Sequence, residues 1–362
     1  SSDPLSYQWF LDLGPAGSPN PVLVSGATAR TLSVIGVSTG RKRYFCRVTA
    51  AGGTLNGGDN VVVGVIQAPE LQPAGEWDLP GTTVSEPYAF QVPLAEDPFE
   101  PGTPDPMKAP ASFKAVGLPP GLKIGSTGLI TGRATVEKRD KFGAVIPYTV
   151  TITATNKFGT TAPVVKTLLV NPLNSNLIGV YTGPVERSVS LNGSLGGVFN
   201  MTTTKTGTYP GKLGMGAKTY EFQGGLDSST DDPENPTATL TVNRGTALPP
   251  LTVELQLSAV TGLITTGTIT DGTTSADFEG WRKVWLKTAA NPAPAQEFGG
   301  YYTLAMDLPA ELQGTAANPG IPQGTGFASF TVNKVTGTLL VSGKLSDGTA
   351  FTTSTFAGPS GE

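Results

Sequence analysis

The chain has 362 residues, enough for two or three independent cores at ordinary domain sizes, and only 14% of them are charged, against 47 glycines and 31 prolines. With abundant Thr, that make-up predicts many short strands joined by tight turns and argues against long helices. A formal net charge of −4 leaves no basic footprint for DNA or RNA, the absence of histidine removes the commonest general base and transition-metal ligand, and the single cysteine, Cys46, can form neither an internal disulfide nor a CxxC redox pair.

No apolar run reaches the roughly 20 residues of a membrane-spanning helix, so membrane insertion is not expected. The chain opens at Ser1 without an initiator Met or a signal-peptide pattern, which reads as a piece excised from a longer precursor. Residues 1–68 carry Tyr7-Gln8-Trp9-Phe10, Ala29-Arg30-Thr31-Leu32-Ser33-Val34, Tyr44-Phe45-Cys46-Arg47-Val48 and Asn60-Val61-Val62-Val63-Gly64-Val65, alternating runs separated by Gly- and Ser-rich turns that predict strands. This order resembles an immunoglobulin domain of the bacterial tandem-repeat kind. The resemblance implies Trp9 as the core tryptophan of strand C and Tyr44, two residues before Cys46, as the tyrosine corner.

The resemblance covers strands C to G only. Strands A and B, with the second cysteine of the family, would precede Tyr7, so the sandwich is expected to be incomplete. About six inward apolar side chains at ~1.5–3 kcal/mol each would be left bare, a sum comparable with the stability of a whole domain. Either the sequence is trimmed, or few strands suffice when packed on the next module, or a neighbouring copy donates the missing strand and copies polymerise head to tail.

Residues 69–172 open after one Pro-containing junction and end at another, Asn171-Pro172. Their centre reads Leu118-Pro119-Pro120-Gly121-Leu122, then Thr127-Gly128-Leu129-Ile130-Thr131-Gly132, then Tyr148-Thr149-Val150-Thr151-Ile152-Thr153-Ala154-Thr155-Asn156. Pro-Pro-Gly fixes a turn, Gly128 relieves a hairpin bend, and the period-2 run from Tyr148 is a half-buried strand. This motif resembles the putative-Ig, dystroglycan-type cadherin-like module. The resemblance raises calcium, with Glu96, Asp97, Glu100 and Asp105 as ligands in a Pro-rich insertion. The spaced Asp-x-Asp pattern is missing there, and a solvated loop is the favoured reading.

Residues 173–362 repeat at the level of hairpins. Thr206-Gly207-Thr208, Thr261-Gly262-Leu263 and Thr336-Gly337-Thr338 each open a turn–strand–turn–strand unit, and the last two units continue into Asp271-Gly272 and Asp347-Gly348, dipeptides that favour type I′ hairpins with positive φ at both central residues. Gly179-Val180-Tyr181-Thr182 and Gly300-Tyr301-Tyr302-Thr303 open two similar halves, which predicts a duplicated meander of about ten strands, closed as a barrel or folded as a two-sheet sandwich. The pattern resembles the C-terminal barrel-like repeat of large secreted multi-Ig proteins of environmental bacteria, which implies no enzymatic activity and a further strand beyond Glu362.

Candidate chemistry is sparse. Gly207 to Lys212 lacks P-loop spacing and reads as a hairpin turn. Asp277 with Glu279, or Asp231 with Glu234, are the carboxylate pairs suited in type to glycoside hydrolysis; alternation makes the first a solvated face. Asp227, Asp231 and Asp232 lie in an acidic loop that could hold calcium. Trp281 and Trp285 flank Arg282-Lys283-Val284 on one face of a strand: exposed, they form a sugar platform; buried, the favoured case, they belong to the barrel interior or its mouth. Trp77 is a further possible sugar contact, Cys46 a buried small hydrophobe, and Asn192 and Asn200 head chance sequons.

The expected fold is all-β: two Ig-like β-sandwiches in tandem followed by an antiparallel meander β-barrel or two-sheet sandwich. The expected role is that of a non-enzymatic structural or adhesive protein at a bacterial cell surface, with no required cofactor. Its partners would be other copies of itself, assembled by β-strand complementation into a filament or surface layer, or neighbouring surface proteins. The alternative is a carbohydrate-binding accessory module of a secreted enzyme with polysaccharide as partner.

Overall fold

The computed structural model describes residues 5–14, 20–34, 41–50, 53–56, 61–97, 100–308 and 322–361. The protein is almost entirely β, and one of its sheets is barrel-like and nearly closed. Its residues group into two compact units, Ser1–Thr82 with Pro87–Asn171, and Thr83–Glu86 with Pro172–Glu362.

The first unit begins with one five-stranded antiparallel sheet of β1 (Ser6–Asp12), β2 (Pro21–Leu23), β3 (Arg41–Ala50), β4 (Gly53–Asn56) and β5 (Val61–Gly64). Trp9 pairs across β1 and β3 with Cys46, and Leu11 with Tyr44. Tyr44 is buried while Trp9 and Cys46 are half-buried, and the Trp9 indole donates to the Ala29 carbonyl at 3.0 Å. The strand expected at Ala29–Val34 is not formed: residues 29–34 are bends and irregular chain, and the Ala29 carbonyl serves the indole instead of a ladder. Asn60 lies outside the described residues.

The rest of this unit contains Thr82 of β6 (Thr82–Thr83), β7 (Pro87–Gln91), the hairpin β8 (Glu96–Asp97) and β9 (Glu100–Pro104), β10 (Ser112–Val116), β11 (Leu122–Ile124), β12 (Leu129–Arg133), β13 (Tyr148–Asn156), β14 (Gly159–Thr160), β15 (Val164–Leu168) and β16 (Val170–Asn171). One sheet runs β10-β13-β14 with β15 also on β13, and another runs β11-β12-β7. Alternation works as expected: Val150, Ile152 and Ala154 of β13 and Ile130 of β12 are completely buried. Gly128 adopts φ 85°, and a Cβ there would lie 2.8 Å from the Phe113 ring, so the Thr-Gly turn needs glycine both for its conformation and for this approach.

In the second unit, β17 (Gly179–Val185), β18 (Gly197–Thr203), β19 (Thr208–Met215), β20 (Lys218–Gly225), β21 (Thr237–Val242), β22 (Leu251–Leu257), β23 (Leu263–Thr270), β24 (Ser275–Asp277) and β25 (Gly280–Arg282) form one nine-stranded sheet in the order β20-β19-β18-β17-β25-β23-β22-β21, with β24 on β23. It is nearly closed, and the bridge Asp227↔Thr237 lies where the chain crosses from β20 to β21. Four-residue α1 (Val189–Asn192) follows β17, capped by the Ser188 side chain and ended by Gly193 at φ 61°. Thr83–Glu86 belongs here too: Ser85 Oγ donates to Leu226 O and Ser228 Oγ to Val84 O, each at 2.6 Å.

The barrel interior is built from inward alternate residues, among them Tyr181, Phe199, Tyr209, Leu213, Val253 and Ile269, none measurably exposed. Phe199 stacks on Phe222 at 5.3 Å and meets Phe278 at a tilt at 4.7 Å. Glycines make room for these rings: an added Cβ on Gly211 would strike Phe222, and one on Gly267 would lie 2.8 Å from Phe278.

The duplicated meander resolves differently from a single ten-stranded barrel. The barrel takes residues up to Arg282, and β26 (Gly300–Met306), β27 (Gly326–Val332), β28 (Thr338–Lys344) and β29 (Ala350–Phe356) form a separate four-stranded sheet in simple up-and-down order. The Asp-Gly turns also differ from the type I′ expectation. Gly272 and Gly348 have φ of 90° and 85°, whereas neither Asp271 nor Asp347 has positive φ. Each aspartate instead accepts hydrogen bonds from backbone N–H groups just ahead, Thr273 and Thr274 for Asp271 and Thr349 for Asp347, a side-chain-stabilised turn.

Candidate functional site

The sheet β26–β29 repeats the first four barrel strands in register. Gly179, Tyr181 and Gly183 of β17 face Thr203, Met201 and Phe199 of β18; Gly300, Tyr302 and Leu304 of β26 face Val332, Phe330 and Ala328 of β27. The small and large members of the last pair have exchanged strands. A cross-strand glycine–phenylalanine pair also recurs, Gly211↔Phe222 in β19–β20 and Gly343↔Phe351 in β28–β29.

Burial separates the two copies. Tyr181, Phe199 and Met201 are at most 1% exposed, while Tyr302 and Leu304 are 40% and 38% exposed. The face that is inner in the barrel is therefore partly open in the sheet: it is exposed along β26, half-buried at Phe330, Val341 and Phe351, and covered at Gly326, Ala328 and Val332 of β27. Tyr302 stacks on Phe330 at 5.1 Å on this face, and its hydroxyl donates to Phe298 O at 3.0 Å.

Trp281 and Trp285 fasten this sheet. The Trp281 indole N–H donates to Phe356 O at 3.0 Å and that of Trp285 to Ala357 O at 2.8 Å. Both rings are half-buried, Trp285 meets Phe298 edge-on at 5.4 Å, and a Cβ on Gly337 would strike its ring. These contacts occupy the polar edge of each indole and part of its face. Trp77 is likewise engaged: its indole donates to Gln72 O at 3.1 Å, its ring stacks on Phe90 at 5.9 Å, and the Lys166 ammonium lies 4.4 Å over it.

The acidic candidates are dispersed. Asp227 pairs main chain to main chain with Thr237; Asp231 and Asp232 are exposed, with Asp232 accepting from Asn235 at 3.0 Å. Among the described residues no three His, Cys, Asp or Glu side chains gather where they could hold a metal ion. The insertion expected as a solvated loop is the β8–β9 hairpin, with Asp97 and Asp105 buried and Asp105 capping a short 3₁₀ turn at Met107 N; of the Glu100 side chain nothing is described. Asp277 and Glu279 are exposed, as are Asp231 and Glu234. Asn192 is buried, donating to Glu186 O and accepting from Ser188 and Gly196 N–H groups, and Asn200 accepts from Thr182 at 2.8 Å.

On the outer barrel wall, an open groove of about 670 Å³ is lined by Asn200, Thr202, Lys212, Glu221 and Gln223 with Met201 and Phe222, and Lys212 pairs with Glu221 at 3.1 Å. Electrostatic perturbation marks the fold more than any site. Burial pushes the Tyr181 hydroxyl well up, with Arg282 opposing it, and burial raises Tyr88 to about 12. Hydrogen bonds from Thr274 and Thr273 hold Asp271 down at about 2.

Three buried charges escaped sequence reasoning. Asp12 and Arg43 face each other across β1 and β3 and form an ion pair at 2.9 Å, while Lys166 reaches the carbonyls of Ala74 and Trp77 and the Asp78 carboxylate. A lone Asp ending the apolar run Tyr7–Leu11 was the available signal for the first.

Residues 78–171 match the family described as "Putative Ig domain", in agreement with the paired sheets of that segment. Among solved structures, the immunoglobulin domains 1-5 of Sidekick-1 align over 98% of this chain and 72% of that one, at 13% identity and a TM-score of 0.27. No curated protein matches the chain. No helix among the described residues is long and apolar enough to cross a membrane.

Proposed function

We propose that the chain is a structural or adhesive component acting outside the cytoplasm, at a bacterial cell surface, and that its chemistry is apolar burial and main-chain pairing. The observation that carries this reading is the use made of Trp281 and Trp285. The two side chains best suited by type to grip a ligand hold the carbonyls of Phe356 and Ala357. An immunoglobulin-type module at residues 78–171 supports the same reading, because such modules serve many proteins as spacers and contact surfaces; this is an analogy from fold. Assembly of copies into a filament or surface layer, and contact with neighbouring surface proteins, belong to it as partner proposals. Incubating the full chain with a panel of polysaccharides and following reducing ends is the test: no turnover is expected, and turnover abolished by a single carboxylate substitution would overturn the non-enzymatic reading.

The groove on the barrel wall favours one second reading, an accessory module that binds carbohydrate through Asn200, Lys212, Glu221 and Gln223. Glycan-array binding lost on Glu221→Ala but kept on Trp281→Phe would establish that reading over the first.

A further inference from the structure

The chain contains three meanders of one design. The first is β17–β20, the second β21–β25 and the third β26–β29. Each has a Thr-Gly turn between its second and third strands, with Gly207, Gly262 and Gly337 at φ of 74°, 73° and 64°. Each also sets a glycine opposite a phenylalanine: Gly211 with Phe222 and Gly343 with Phe351 on adjacent strands, and Gly267 with Phe278 just past the end of β24, where the Phe278 N–H donates to Gly267 O. The first two meanders bury each other's inner faces, and Phe199 of one touches Phe278 of the other. The third has the same inner face with no such partner among the described residues: Tyr302 and Leu304 stay 40% and 38% exposed.

We propose that a second copy of this chain covers that face, the two β26–β29 sheets packing on each other as a two-layer sandwich. The inference rests on the structural reading above and adds its contact surface. Three observations select this occupant. First, what covers a meander of this design inside the chain is another meander of the same design. Second, the inner positions of the third meander, Tyr302, Leu304, Met306, Phe330, Val341 and Phe351, are uncharged, and the edge strands β26 and β29 contain neither a charged residue nor proline, the features by which exposed edges and faces are ordinarily kept from self-association. Third, four strands of seven residues present a face of roughly 19 by 24 Å, or about 900 Å² for two copies before side-chain relief. That is close to the lower bound for specific pairs, so a weak dimer in roughly the micromolar range is expected.

A sandwich is favoured over a second closed barrel by one residue. In the barrel, Gly183 lets β17 approach β25 so closely that an added Cβ would strike the Glu279 carbonyl. Leu304 stands at the matching register position, and its side chain forbids the same seam. It suits the wider spacing of about 10 Å between facing sheets.

Sedimentation of the full chain over a wide concentration range tests the inference. A reversible monomer–dimer equilibrium is expected, with Leu304→Lys raising the dissociation constant roughly 30-fold or more and Leu340→Lys, on the opposite face, leaving it unchanged. Because a lysine at position 304 could also perturb folding, a second measurement uses Leu304→Cys and Leu340→Cys, each in a Cys46→Ser background, and follows alkylation by a maleimide. The thiol introduced at 304 should react more slowly as concentration rises, while that at 340 should not. A monomer at every concentration overturns the inference, as does a dimer in which the 304 thiol stays reactive. Protection of that thiol even at the highest dilution would mean that the chain covers its own face, and the inference falls. None of these results touches the non-enzymatic reading, which fails only on turnover.

Discussion

The first four strands of the barrel β17–β25 and the sheet of β26–β29 share register and turn glycines, yet one lines a buried interior and the other presents a half-covered face. The difference lies in what stands opposite. Phe199 has Phe222 and Phe278 within ring contact, whereas its counterpart Ala328 is small, and the bulk has moved to Leu304 on the neighbouring strand. Local design therefore specifies a meander, and only a second meander makes it a core, as expected where non-directional apolar burial dominates stability.

Paired substitutions sharpen this contrast. The largest effect is expected for Phe199→Ala, about 3–5 kcal/mol in denaturant unfolding, against about 1–2 kcal/mol for half-buried Phe330→Ala; equal losses would show that the sheet is as tightly packed as the barrel. Next comes Gly183→Ala, whose Cβ meets the Glu279 carbonyl, at about 1–3 kcal/mol. At the same register position in the sheet, Leu304→Ala should cost under about 1 kcal/mol in the monomer, and both are readable from the same unfolding curves. Trp281→Phe and Trp285→Phe each delete one donor to the strand end and should lower stability by about 1 kcal/mol, without altering any glycan binding.

The smallest effect concerns the two turn aspartates. Asp271 has a folded pKa depressed from 3.8 to about 2, and Asp347 is also depressed, by Thr349. Each therefore contributes stability that is present above the unfolded pKa and lost as pH falls through the folded one. For Asp271 the window runs from about 4 down to about 2. Asp347 is exposed and Asp271 half-buried beside Arg244, so solvent screens the first contribution fully and the second in part. Asp271→Asn should flatten the acid limb of the melting temperature between those values, and Asp347→Asn should do so to a lesser extent.

Much of the strand architecture was legible because it follows from period and turn chemistry. Tyr148–Asn156 alternates and is a strand with Val150, Ile152 and Ala154 inside; Gly128, Gly262 and Gly337 occupy positive φ. The Thr-Gly repeat announced three hairpin units, read as parts of one duplicated meander of about ten strands, and each unit forms. Which meander closes on which was not legible, because that depends on contacts between side chains distant in sequence, such as Phe199 with Phe278. The run Ala29–Val34 reads as strand by alternation, but pairing needs a free ladder edge, and there the backbone serves Trp9. The burial of Asp97 and Asp105 ran against composition for the same reason: a hairpin, invisible as a period in so short a segment, carries them inward. Of the nominated ligand contacts, Trp281 and Trp285 were weighed toward burial and are half-buried, and their bonds to Phe356 and Ala357 could not be read without the fold.

The most direct test of the central claim is amide hydrogen exchange on the full chain, diluted until sedimentation shows a monomer. Strands β18, β19, β22 and β23 should exchange only through global opening of the second unit, and β26 and β29 at least about tenfold faster through local opening of the half-covered sheet. Equal protection of the barrel and the sheet in that monomer would contradict the account, because an unopposed meander would then be as stable as an opposed pair.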